Sequence, residues 1–120
     1  MIRISCRINP TESPKKVRKA LSNMFGEIEM VEADGEFTAE LDDYMLLREL
    51  RSRIATDKIR DTLSNILTRW AEDDRLSFGL NRQAAYNGHV SLTLENEDPM
   101  GPINVVIEGG VRQAITFLTS

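Results

Sequence analysis

One cysteine and one histidine in 120 residues exclude a good deal. A lone Cys6 closes no disulfide within the chain, and with His89 as the single imidazole there is no Cys- or His-based zinc set. Cys6 falls on the strand face of Ile2, Ile4 and Ile8, so it is expected to pack as a small hydrophobe and not to serve as a catalytic thiol. No apolar run approaches the roughly 20 residues that span a bilayer. The opening MIRISCRI alternates apolar and polar residues where a signal peptide would be continuously apolar. The expectation is a cytoplasmic protein without a membrane partner. A glycine-rich phosphate loop is missing too, since Gly109-Gly110 precedes a helix that carries no Lys-Ser/Thr signature. His89 has no assignable nucleophile beside it and the acidic residues are set in no common cleft. The reading is therefore a non-enzyme with no cofactor and no metal.

Basic residues are outnumbered, 15 against 19 acidic, for a net charge of −4 and a pI near 5.0. That balance argues against avid, non-specific nucleic-acid binding. It leaves room for a local basic face, and eleven of the fifteen cations are arginine, the one suited to bidentate phosphate contact and stacking.

The hydrophobic content of 41% suits one domain, residues 1–120, with a single core. Ile2, Ile4, Cys6 and Ile8 alternate with polar residues as in a half-buried strand. After NPTESP, with Thr11 or Ser13 as cap and Pro14 in the first turn, Val17, Ala20, Leu21, Met24 and Phe25 make a helical stripe that Gly26 stops. Ile28 and Met30, a turn at Asp34-Gly35, and Phe37, Ala39 and Leu41 read as a hairpin with an acidic outer face. Asp42 or Asp43 begins a helix reaching about Ala55. Thr56 reads as the cap of the next helix, whose inward arc is Ile59, Leu63, Ile66, Leu67 and Trp70. Leu76, Phe78 and Leu80 form a strand, Val90, Leu92 and Leu94 another, ENEDPMGP a loop, and Ile103, Val105 and Ile107 the last strand. A helix with Val111, Ala114, Ile115 and Leu118 inward closes the chain. The order β-α-β-β-α-α-β-β-β-α predicts an α+β, two-layer fold, with helices packed on one face of a largely antiparallel mixed sheet.

The stretch LNRQAAYNGHVSL departs most from this alternation. Asn81 can cap a single helical turn over Arg82 to Tyr86, with Asn87-Gly88 supplying left-handed residues to end it and Ala84 and Ala85 small because the turn lies close to the sheet. One reading is a packed connector. The other is a ligand site, in which Tyr86 stacks on an unpaired base, Arg82 grips a phosphate and Gln83 reads a base edge. Opposite the apolar faces stand Arg3, Ser5 and Arg7, then Arg75, Ser77 and Gly79, then His89, Ser91 and Thr93, which would form a basic, polar sheet face if those strands adjoin. The densest basic cluster is Lys15, Lys16, Arg18 and Lys19 on the first helix. In RELRSR, Glu49 stands four residues before Arg53 and is expected to pair with it.

INPTESPKKVRKAL, LNRQAAYNGHVSL and DPMGPINVVIE, in that order over nearly the whole chain, resemble a family of small archaeal RNA-binding proteins suggested to work with the RNA-degrading exosome. The resemblance implies a fold similar to that of the large-subunit ribosomal protein that holds 5S RNA. It assigns no catalytic residues. Asn81, Arg82, Gln83, Ala84, Ala85 and Gly88 match the family's central segment, and Gly101, Pro102 and Ile103 the later one. It also implies a basic residue where His89 stands, and an unperturbed histidine is mostly uncharged at neutral pH. The expectation is a non-catalytic RNA-binding accessory factor in RNA processing or decay. Arg82, Gln83, Tyr86 and His89 would contact RNA, and Arg3, Arg7, Lys15 and Lys19 would steer its backbone. The alternative is a protein-interaction or self-assembling module, a homodimer included, that docks through the same insert.

Overall fold

A computed structural model of the chain describes residues 1–93 and 101–120; the expected place of Leu94 in a strand, and the loop over 95–100, lie outside them. Six strands form one open sheet: β1 (Ile2–Arg7), β2 (Val31–Ala33), β3 (Glu36–Leu41), β4 (Arg75–Leu80), β5 (Leu92–Thr93) and β6 (Ile103–Glu108). Their order across the sheet is β2-β3-β1-β6-β4-β5 and every pairing is antiparallel. Register explains the core. Ile4 lies opposite Ala39 on one side and Val105 on the other, and Val105 opposite Phe78, so one buried row crosses four strands. Leu41, Ile2, Ile107 and Leu76 make the next row. Each large side chain in such a row contributes about 1.5–3 kcal/mol by leaving water. Cys6, 1% exposed, packs among them.

Helices α1 (Pro14–Phe25), α2 (Arg48–Thr56), α3 (Arg60–Trp70), α4 (Arg82–Tyr86) and α5 (Val111–Leu118) cover that one face of the sheet. Pro14 opens α1, where a missing N–H costs nothing, and Gly26 closes it at φ 70°. Asp34 and Gly35, both left-handed, make the expected two-residue turn. The strand before that turn is shorter than its alternation predicts: Ile28 and Met30 pack half-buried against the core from outside β2. The Asp43 carboxylate accepts from the Met45 N–H at 2.9 Å, capping a 3-10 turn over Tyr44–Leu47 that leads into α2.

Two helical expectations need correction. Thr56 ends α2 and does not open α3, because its hydroxyl donates back to the Ser52 carbonyl at 3.0 Å. The break comes at Lys58, left-handed at φ 58°. Trp70, assigned to the inner arc of α3, is 38% exposed. It is the helix's last residue, and Leu63 and Leu67 are the fully covered members of the arc.

Candidate functional site

The insert does fold as a helical turn. Asn81 caps it, its side-chain oxygen accepting from the Ala84 N–H at 2.9 Å, and Gly88 leaves it at φ 81°. Asn87 stays right of the left-handed region at φ −91°, so only one residue of the Asn-Gly pair turns that way. The turn seats on α1, not on the sheet as the two alanines suggested. Asn23 of α1 donates its amide to the Ala85 carbonyl (3.1 Å), which also accepts from the Gly88 N–H (3.0 Å), and to the Tyr86 carbonyl (3.0 Å) at the end of the turn. Ala85 is fully buried and Ala84 half-buried.

The latch fixes what stands beside what. Lys16 and Lys19 precede Asn23 by seven and four positions, which puts all three on one flank of α1. That flank borders α4, whose Gln83 and Tyr86 are exposed, Tyr86 by 41%. Lys15, Lys16 and Lys19 are exposed as well. Arg18 leaves the group, its guanidinium 4.9 Å from the Phe37 ring centroid on the β3 side.

Arg82 is not a surface residue. Only 8% exposed, it donates from Nε to the Gly101 carbonyl at 2.6 Å, from Nη1 to both Glu12 oxygens at 2.6 and 2.7 Å, and from Nη2 to the Arg7 carbonyl. Glu12 also accepts from the Asn9 N–H (3.0 Å) and side-chain amide (2.9 Å). Burial pushes the Glu12 carboxyl up, but the Asn9 N–H, the Arg82 guanidinium and the Asn9 amide together hold it below the usual range. The cation expected to grip a phosphate thus ties α4 to β1, to the turn before α1 and to Gly101. Pro102 closes the same corner: a Cβ on Gly79 would meet its Cβ at 2.9 Å.

Of the other candidates, His89 leaves the end of the insert, its N–H donating to the Ala84 carbonyl at 2.8 Å, and Arg3 and Arg7 lie apart. His89, expected on a strand, stands before β5 with Nδ1 3.1 Å from an oxygen of Asp57, whose second oxygen accepts from the Val90 N–H at 2.7 Å. Burial pushes Asp57 up, yet the Val90 N–H bond, the bond and charge of His89 and the charge of Arg53 bring it below the ordinary carboxylate value. Arg53 reaches the Gly88 carbonyl at 3.3 Å and pairs with Glu49 at 3.4 Å, the i,i+4 contact the sequence predicts. Arg3 and Arg7 lie on the uncovered face of the sheet, where Arg3 meets Glu40 at 3.3 Å. That face is not the continuous basic surface expected. β6 separates β1 from β4 and brings Glu108 to within 4.0 Å of Arg75, while Thr93 is buried.

Asn23, Glu12 and Asp57 were not singled out in the sequence. Each acts on residues 32 or more positions away, and no local pattern marks such pairs.

A family model described as RNA binding matches residues 1–109. The chain belongs to that family. The match takes in α1, the insert and Gly101–Ile103 and stops before α5. A UPF0201 protein of Pyrobaculum islandicum is 36% identical over 115 residues, 90% of this chain and 80% of the relative. Another, of Methanothermobacter thermautotrophicus, is 32% identical over 107 residues, 89% of this chain and 80% of the relative. The crystal structure of a UPF0201 protein from Methanococcus jannaschii superposes with a TM-score of 0.80 at 25% identity, covering 99% of this chain and 98% of that one. Among the described residues no helix is long and apolar enough to cross a membrane, and no group of three or more His, Cys, Asp or Glu could hold a metal ion.

Proposed function

We propose that this chain is a non-catalytic RNA-binding protein, an accessory factor in RNA processing or decay, and that RNA lies along the α1–α4 face. The observation that carries the reading is the Asn23 latch, which holds the backbone of the exposed Tyr86 against the flank of α1 that also carries Lys16 and Lys19. In this reading Tyr86 stacks on an unpaired base and Gln83, one turn earlier, meets that base's edge. Lys16 and Lys19 take neighbouring phosphates, with Lys15 adding longer-range attraction. Arg82 serves indirectly, by holding the first turn of α4. Arg3 and Arg7, on the far face of the sheet, steer the polyanion at most from a distance. The family's description as RNA binding supports the same reading.

Fluorescence-anisotropy titration of short single-stranded and duplex RNAs at two salt concentrations tests it. Tyr86→Ala is expected to cost about 1–3 kcal/mol of single-strand affinity. Lys19→Ala should lower the salt slope by roughly 0.7, one phosphate's worth. Absence of binding at low salt would remove the proposal. The rival, a protein-docking module, is expected from the sequence to use the same insert; a different surface favours it, Met45 and Leu46, 57% and 45% exposed in the 3-10 turn. An apolar interface there would bind its partner with little dependence on salt.

A further inference from the structure

His89 is a candidate cation that is both exposed and held in place. Its side chain is 67% in solvent, yet the backbone on either side of it is pinned: Gly88 by Arg53 and Val90 by Asp57. The Gly88 contact is close, since a Cβ there would lie 2.8 Å from the Arg53 Nη1. Asp57 cannot turn away from the ring without giving up the Val90 N–H, because its two oxygens are divided between them.

We propose that His89, oriented by Asp57, is a further phosphate subsite of the α1–α4 surface, taking the phosphodiester next to the nucleotide stacked on Tyr86 when its imidazole is protonated. This deepens the RNA reading above and rests on it. The chemistry follows from the ring's two nitrogens. A carboxylate only accepts, so the Nδ1 facing Asp57 carries a proton in either charge state. In the neutral ring Nε2 is then a bare acceptor, which repels a phosphate oxygen. In the charged ring Nε2 carries N–H and donates a charge-assisted bond. Protonation and phosphate contact at this atom are therefore coupled. Among the described residues, the charged groups on this side are Asp57, which faces the ring, Lys58 next to it in the turn between α2 and α3, and Arg53 with its partner Glu49 from α2. Asp57, its carboxyl held below the usual range, stays a carboxylate acceptor for Nδ1.

His89 is the chain's single histidine, so its ring C–H signals in proton NMR need no assignment. They would be followed from about pH 5 to about pH 8, with and without a short oligouridylate, whose bases and phosphodiesters do not titrate in that range. The expected result is an upward displacement of the His89 midpoint by RNA. A displacement of about one unit means roughly tenfold tighter binding by the protonated form. RNA affinity in His89→Gln should lose its rise toward low pH while the fold is kept. If RNA binds and Tyr86→Ala weakens it, but the midpoint stays in place, the His89 subsite is wrong and the RNA surface stands. If no RNA binds at low salt at either end of the pH range, both fall.

Discussion

Arg82 and His89 stand at the two ends of one short connector, each a basic side chain facing a carboxylate. Arg82 meets Glu12 at 2.6 Å with 9% of its side chain exposed, and His89 meets Asp57 at 3.1 Å with 67% exposed. A buried guanidinium has exchanged all its hydration for fixed protein acceptors, so removing it strands those acceptors. A solvated imidazole keeps water as an alternative partner, and its ion pair adds little to stability. What separates a structural cation from the proposed recognition residue here is thus not whether it has an acidic partner. It is whether a polar atom is left over for something else, and only His89 has one turned outward.

The largest effect that could break this comparison is on stability. Arg82→Ala should cost about 3–5 kcal/mol in urea unfolding, because Glu12 stays partly buried without its cation and the Arg7 and Gly101 carbonyls lose a donor. A cost within the ordinary surface range would mean that the bridge is incidental and that burial does not distinguish the two cations. A smaller effect concerns acid. The folded-state pKa of Glu12 lies below the ordinary glutamate value, so its stabilisation is fully present above that ordinary value and is lost as pH falls through the lowered one. Glu12→Gln should flatten that part of the stability–pH curve, and an unchanged acid limb would put the proton uptake elsewhere. Smallest of all, His89→Gln should shift the unfolding midpoint by less than about 0.5 kcal/mol in free energy. A larger loss would make His89 a structural residue as well.

What the sequence disclosed was local. The alternation of Ile2, Ile4 and Cys6, the stripe from Val17 to Phe25 between Pro14 and Gly26, and the Asp34-Gly35 turn each depend on residues a few positions apart, and all are present. Asn81 capping α4 belongs with them. The fate of Arg82 was illegible because Glu12 lies 70 positions away, and an arginine in a short polar helix looks the same whether it points in or out. The sheet face was misjudged for a related reason: the strand between β1 and β4 is the last in the chain, and its Glu108 cancels Arg75. Trp70 kept to the helical arc, but an arc says which side faces inward and not how far the covering layer extends.

The brevity of α4 carries a consequence of its own. Five residues are barely more than one turn, and nucleating a helix costs more than so few bonds return. The turn exists because Asn81 caps it, Asn23 takes its last carbonyls, Glu12 anchors its first side chain and Arg53 grips the glycine that follows. All but Asn81 come from distant parts of the chain and converge only when it has closed on itself. The display of Tyr86 is therefore a certificate of completed folding: a half-made or partly opened molecule would lose that surface before it lost its sheet.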